Sequence, residues 1–302
     1  MRRAKDKAVK TWSTPPTQEK ATTIPCILCG ATRFKAAMDC GAFGFVRCEA
    51  CSLVQANPQP DAAAVAARYR ESHGKDYLAY ELANEAPFLR LQELALKDAG
   101  IDEIEESAIA ASRRRGEAAP RVLDVGCAVG ALLVFLRGRG WNGTGVELST
   151  NQANYARDVR GLDVRDVRIE DARFPGGSFD LVHASHLIEH LNDPRSFVRE
   201  AYRILAHEGR LIVTTPNVGG LQARLFGASW RSAIFDHLYL FSLRTLTALL
   251  ESEGFVIERR VTWGGLAAGT APAAIKRIAD RAAKRWGFGD VMMLRARKYQ
   301  SP

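Results

Sequence analysis

The 302-residue chain is 47% hydrophobic and 25% charged, an ordinary globular composition with room for one large domain or two smaller ones. No apolar run reaches the roughly 18 to 20 residues of a bilayer-spanning helix, and the opening MRRAKDKAVKTW lacks the apolar stretch of a secretory signal, so a cytoplasmic chain is expected. The net charge of +8 is spread along the sequence and gathered at both ends, which fits a solvated surface and leaves nucleic acid or an anionic membrane surface as the charged partners to weigh.

Residues 1–22 are polar and basic, with STPPTQ breaking any helix, and read as a disordered tail. Residues 23–57 carry two cysteine pairs, Cys26 and Cys29 in CILCG and Cys48 and Cys51 in CEAC. In a reducing compartment the spacing C-x2-C-x18-C-x2-C predicts structural zinc rather than disulfides. Four thiolates complete a tetrahedral shell and leave no position open for substrate. The alternation in FGFVRC predicts a strand leading into the second pair, as in a zinc ribbon. Cys40 and Cys127 fall outside the pattern, and nothing local marks either as a nucleophile.

Residues 58–118 read as a helical cap or linker. Asp61 is placed to cap AAAVAARYR, and Tyr77, Tyr80, Leu82, Phe88, Leu91 and Leu94 recur at helical spacing. The stretch 102–120 turns from acidic to basic and ends in Pro, as a boundary or surface insertion would. From residue 119 to 302, short apolar runs alternate with amphipathic segments. RVLDVG, GTGVEL, LDVRDVRI, FDLVHAS and GRLIVTTP are predicted strands. Between the last two, Asn192 or Asp193 caps a helix with Pro194 at its first position. Phe197, Val198, Ala201, Ile204 and Leu205 line one face, and Gly209 closes it. The alternation predicts an α/β fold with a doubly wound, mainly parallel sheet that binds ligands at the carboxyl ends of its strands.

The first strand runs into GCAVGALL, where Gly126 and Gly130 let the backbone turn sharply beside a ligand. A dinucleotide fingerprint needs Gly at 128 and 131; both are Ala, which argues against NAD. Glu147, at the end of GTGVEL, is placed to accept hydrogen bonds from both ribose hydroxyls of any adenosine-type cofactor.

The segments VLDVGCAVGALL, GVELS, FPGGSFDLVHASHLIEHLNDP, REAYRILAHEGRLIVTTPN and DHLYLFSLRTLTALLESEGF follow in order over residues 121–258. In them the chain resembles the class I S-adenosylmethionine-dependent methyltransferases, and GFGDVMMLRARK resembles that family's closing strand. The cysteine arm followed by a helical segment is similar to a bacterial subgroup with an N-terminal zinc ribbon, some of whose members methylate sugars or other small metabolites. The resemblance implies a Rossmann-like, seven-stranded sheet, S-adenosyl-L-methionine as cofactor beside structural Zn2+, and a hydroxyl of a sugar, glycan precursor or other secondary metabolite as acceptor. It implies that Asp124, Gly126, Cys127 and Gly130 hold the methionine part of the cofactor, with Glu147 and its neighbour Leu148 at the ribose. Where the family often has an Asp for adenine, this chain has Arg168. Adenine then falls to Glu170 or Asp171, or to backbone groups and Ile169.

His186 and His190 follow FDLVHAS at the carboxyl edge of the sheet. His190 before LNDP is similar in placement to the HDWSD segment of plant phenolic O-methyltransferases, whose His is the general base. The resemblance implies that His190 takes the acceptor proton or positions the acceptor, with His186 second; packing near a turn is the plain alternative. H-x-x-E-H is also a zinc-peptidase pattern, but such a peptidase needs a continuous helix, and Asn192, Asp193 and Pro194 begin a new one. LFGASWRSAIFDHLYLFS reads as a lid over the acceptor, with Trp230, His237 and Tyr239 as its lining or as core. In residues 272–288, Ile275, Ile278, Ala282 and Trp286 share a helical face that either touches a membrane or packs on the sheet.

The rival expectation is a ribosomal RNA methyltransferase binding RNA through the ribbon and basic surface. Enzymes of the class that methylate base amino groups usually carry an N-P-P-Y-like sequence after the fourth strand, where this chain has HASH. A cofactor-binding protein without turnover is the third reading.

Overall fold

The computed structural model describes residues 21–69, 74–266 and 272–299. Most of the expected tail lies outside them, but Ala21–Thr22 form a short strand, β1, rather than coil. The ribbon follows as β2 (Phe34–Asp39), β3 (Gly44–Cys48) and β4 (Val54–Ala56), and β5 (Gln59–Pro60) pairs with β1.

Asp61 accepts the Ala64 amide and caps α1 (Ala62–Ala67). The helix α2 (Gly74–Ala99) buries Ala95, Leu96 and Ala99, whereas Tyr80, Leu82, Leu91 and Leu94 of the expected apolar set are exposed. The 102–120 stretch is not a surface insertion. Most of it forms α3 (Ile101–Arg114), whose Ile101, Ile104, Ala108 and Ser112 are buried, the three apolar ones in one core with Val122, Leu132 and Trp141. Its charges lie on the outer face, where Glu105 accepts the Trp141 indole N–H at 2.7 Å.

The central sheet comprises β6 (Arg121–Val125), β7 (Asn142–Val146), β8 (Asp163–Arg165), β9 (Phe179–Ser185), β10 (Leu205–Pro216), β12 (Phe255–Trp263) and β13 (Val291–Lys298). Their order is β12-β13-β10-β9-β6-β7-β8. The strands β6 to β10 run parallel, and β13 is antiparallel to both its neighbours. The sheet reverses direction of growth at β6, between β7 and β9, and a crevice for ligand opens at such a switch point. Helices α4 (Ala131–Gly138), α5 (Thr150–Asp158), α6 (Pro194–Ile204), α7 (Leu221–Phe226), α8 (Leu243–Ser252) and α9 (Ala273–Trp286) complete the fold.

Asp193 caps α6 by accepting the Ser196 amide, and Pro194 fills the first turn, where its missing N–H costs nothing. The helix ends at Ile204 rather than at Gly209, which lies inside β10 near a register shift; a Cβ there would stand 2.9 Å from the Ala206 carbonyl. The apolar face of α9 does not pack on the sheet. Ala283 does so, its carbonyl accepting Thr262 Oγ1, while Ile275, Ile278 and Trp286 face outward. Among the described residues no helix is long and apolar enough to cross a membrane.

The ribbon is fused to the sheet domain. Strand β11 (Tyr239–Leu240), from the segment after β10, pairs with β4 and extends the ribbon to the order β11-β4-β3-β2. Cys26, Cys48 and Leu53 share one core with Tyr239, Phe241 and Leu246.

Candidate functional site

The loop between β6 and α4 holds three left-handed residues, Gly126 (φ 74°), Ala128 (φ 49°) and Gly130 (φ 78°). A Cβ on Gly130 would meet Leu162 Cδ1 at 2.3 Å, so glycine is required there by packing as well as by φ. The Gly126 and Cys127 amides donate to the Val146 carbonyl, and the Ala128 amide donates to Glu147 Oε2 at 3.0 Å. Glu147 Oε1 accepts the Ser149 amide at 2.8 Å, which fixes the carboxylate at the tip of β7. Burial pushes this carboxyl above its usual range; the Ser149 and Ala128 amides pull it back, and Glu81 and Asp124 push it up again.

Sequence reasoning missed Tyr77 and Glu81, one turn apart on α2, which come close enough to Glu147 to interact with it electrostatically. Burial raises the Glu81 carboxyl, and its hydrogen bond with Tyr77 partly offsets this. The helix packs on α4 and α5, so the arm forms a wall of the crevice. A Tyr and a Glu spaced by four residues was the available signal, hidden in a segment read for its apolar periodicity.

Other expected cofactor residues divide. Asp124 is buried and holds His183 Nδ1 at 2.8 Å across the paired strands β6 and β9. A histidine inside the otherwise apolar FDLVHAS could have indicated such a partner. The Cys127 side chain turns into the core with Leu133 and Val164, where burial pushes its thiol well up, so only its main chain borders the loop. Leu148 is half-buried. Asp171 is exposed and receives Arg168 Nε at 2.8 Å, while Glu170 is half-buried with its carboxyl raised by burial.

At the carboxyl end of β9 the chain turns through His186 (φ 51°) into a 3-10 turn over Ile188–His190. Glu189 is buried there. Its Oε2 accepts Thr215 Oγ1 at 2.8 Å, and His186 Nδ1 stands 3.3 Å from Oε1. That contact has ion-pair distance without hydrogen-bond geometry, and Oε1 has no hydrogen-bond partner among the described residues. Burial raises the Glu189 carboxyl, but the neighbouring His186, and the charge that His190 and His237 carry when protonated, pull it down to about 2.

His190 Nδ1 lies 3.0 Å from the Asp236 carbonyl, and His237 Nδ1 lies 2.8 Å from the Ser232 carbonyl. A carbonyl can only accept, so each Nδ1 carries the proton, and in the neutral ring each Nε2 presents a lone pair. The two rings meet edge to face at 4.7 Å, and burial lowers His237 to about 3. Arg68, at the end of the arm, pairs with Asp236 at 3.1 Å and lies 4.0 Å over the Phe235 ring; Tyr69 meets His190 edge-on.

Of the three expected lid residues, only His237 stands beside His190. Trp230 is core, with its indole N–H donated to Asp290 Oδ1 and its ring among Phe45, Val54 and Leu240. Tyr239 is fully buried, and its hydroxyl donates to the Asn192 carbonyl at 3.0 Å.

The four ribbon thiols converge, with Cys26 to Cys51 at 3.4 Å, Cys29 to Cys48 at 3.6 Å and all four sulfurs within 4.8 Å of one another. Tetrahedral zinc with bonds of about 2.3 Å has sulfur–sulfur edges of about 3.8 Å, and a disulfide is about 2.05 Å, so the arrangement fits a metal and not a bridge.

A profile of the methyltransferase-domain family matches residues 80–259. The chain belongs to that family. This methyltransferase domain is 32% identical over 110 residues to a Pseudomonas aeruginosa ubiquinone biosynthesis O-methyltransferase, covering 34% of this chain and 47% of the relative. It is 33% identical over 136 residues to the chloroplastic tocopherol O-methyltransferase of Arabidopsis thaliana, covering 42% of this chain and 36% of that one. The match thus spans half or less of these relatives. A solved Thermotoga maritima structure, described as an S-adenosylmethionine-dependent methyltransferase and possible histamine N-methyltransferase, superposes with a TM-score of 0.49 at 23% identity, covering 74% of this chain and 99% of that one. The left-handed loop and the amide-fixed Glu147 form a cradle at the carboxyl ends of β6 and β7.

Proposed function

We propose that the chain transfers the methyl group of S-adenosylmethionine to a hydroxyl of a small-molecule acceptor, in the class of sugars, glycan precursors and other secondary metabolites, phenols included. The observation that carries this reading is His190, whose Nδ1 is held by the Asp236 carbonyl so that its Nε2 lone pair is available at the carboxyl edge of the sheet. Both relatives, the ubiquinone biosynthesis O-methyltransferase and the tocopherol O-methyltransferase, are O-methyltransferases, which agrees with an oxygen acceptor.

In this reading the backbone of Gly126 to Gly130 receives the methionine part of the cofactor and Glu147 accepts from the ribose hydroxyls. Glu170, the more buried of the two acids after β8, takes the adenine amino group. The bound cofactor supplies an electrophilic methyl group on a sulfonium. His190 Nε2 takes the acceptor proton as the new O–CH3 bond forms and the S–CH3 bond breaks, with alignment supplying much of the rate. Glu189 orients His186, and the four cysteines hold zinc that folds the ribbon.

The test is transfer of labelled methyl groups from S-adenosylmethionine to separate pools of phenols, nucleotide sugars and RNA. Labelled methyl ether in a small-molecule pool is expected. Salt-sensitive labelling of RNA alone, or no transfer to any pool, would overturn the reading.

A further inference from the structure

We infer that Glu189, His190 and His237 form a divalent-metal site on the acceptor side of the crevice, distinct from the four-cysteine site. One ligand atom from each lies within 4.8 Å of the others. The groups come from two segments, the 3-10 turn after β9 and the turn-containing stretch before β11.

Three features separate this cluster from ordinary packed polar groups. Glu189 is 1% and His237 6% exposed, and Glu189 Oε1 has no hydrogen-bond partner among the described residues. Both imidazoles spend their Nδ1 protons on backbone carbonyls, so the free nitrogens are acceptors, as is the carboxylate. One ligand atom each from Glu189, His190 and His237 converges, with His186 Nδ1 3.3 Å from Glu189 Oε1, and a cation held between the carboxylate and the two neutral rings satisfies all three at once. The surroundings also match how proteins prepare ligands. Imidazoles that bind metal through one nitrogen donate the other N–H to a carbonyl or carboxylate, and ligating carboxylates are themselves hydrogen-bonded, here by Thr215.

Two imidazoles and one carboxylate form a set that suits Mn2+, Fe2+, Co2+ or Zn2+ and leaves coordination positions open. Its task rests on the reading of this crevice as the acceptor site. An acceptor hydroxyl bound at an open position is acidified by the cation and loses its proton to water. With the cation bound, the His190 nitrogen is a ligand and the proton leaves to water; without it, the same nitrogen takes the proton itself, and in both cases the O–CH3 bond forms as S–CH3 breaks.

The experiment needs neither acceptor nor turnover, so it can fail while the methyl-transfer reading stands, and the reverse. The full chain, its ribbon loaded with zinc and loosely bound metal removed, is titrated with Mn2+ and followed by electron paramagnetic resonance. One Mn2+ per chain is expected, with spin-echo modulation from two imidazole nitrogens. Affinity is expected to fall at least about tenfold in His190→Ala and in Thr215→Val, which leaves the ligands in place but removes the donor to Glu189. Retained ribbon zinc and cofactor binding show that the variants are folded. Absence of Mn2+ binding in the wild type, binding without nitrogen coupling, or undiminished affinity in folded His190→Ala overturns the proposal.

Discussion

The guanidinium of Arg195, in the first turn of α6, donates to the carbonyl oxygens of Ile27 and Leu28, inside the first cysteine loop. It also pairs with Glu253 at the end of α8, and Asn192 just before the helix donates to the Pro60 carbonyl. The segment after His190 is therefore clamped to the ribbon, and metal in the ribbon would support the proposed acceptor side of the crevice. Stripping zinc with a chelator is expected to lower the thermal unfolding temperature of the whole chain and abolish methyl transfer together. Arg195→Ala, which removes hydrogen bonds from a charged donor, is expected to cost about 1–2 kcal/mol by denaturant unfolding. A ribbon that loses its metal while the rest unfolds unchanged would contradict the clamp.

Arg68 holds Asp236, whose carbonyl fixes the His190 tautomer. Arg68→Ala is expected to reduce kcat on the order of tenfold, a fraction of what a positioned acid–base group contributes, with cofactor affinity by calorimetry unchanged. Equal loss of cofactor affinity and kcat would assign Arg68 to the cofactor instead.

Glu147 gives a pH prediction. Its folded-state pKa is raised, chiefly by burial, so the ionised form costs stability as pH rises through that value, and the neutral form is favoured below it. Ribose hydroxyls need the ionised form as acceptor. The unfolding-temperature gain on adding S-adenosylmethionine is thus expected to shrink as pH falls through the raised pKa. Glu147→Ala is expected to weaken the cofactor at least about tenfold, because two hydrogen bonds to a charged acceptor are lost.

Asp124 and His183 are a fully buried pair between adjacent strands. Asp124→Ala is expected to cost about 1–3 kcal/mol in chemical denaturation, the range for leaving a buried donor, here His183 Nδ1–H, without its acceptor. A mutant of normal stability with poor cofactor binding would restore the role the sequence implied.

The elements that fed the crevice were legible wherever local chemistry decided them. FDLVHAS is buried along nearly its whole length and therefore reads as a continuous apolar run, and Asp193 and Pro194 mark the start of α6 by capping physics alone. The α3 helix was hidden because its acidic and basic turns dominate the composition while only every third or fourth residue is core. Trp230 and Tyr239 were drawn to the lid by their type, yet long-range partners, Asp290 and Asn192, decide where they sit. The meeting of Glu189, His190 and His237, the pairing of β4 with β11 and the approach of Glu81 to Glu147 all depend on tertiary register, which no local pattern encodes.

His190 is proposed to face an oxygen acceptor across the crevice from the cofactor loop. The most direct test is methyl-ether formation on the best small-molecule acceptor by wild type and His190→Ala, with cofactor affinity measured on the same samples. A loss of on the order of 10² in kcat or more is expected, at unchanged cofactor affinity. Turnover by His190→Ala equal to wild type would contradict it.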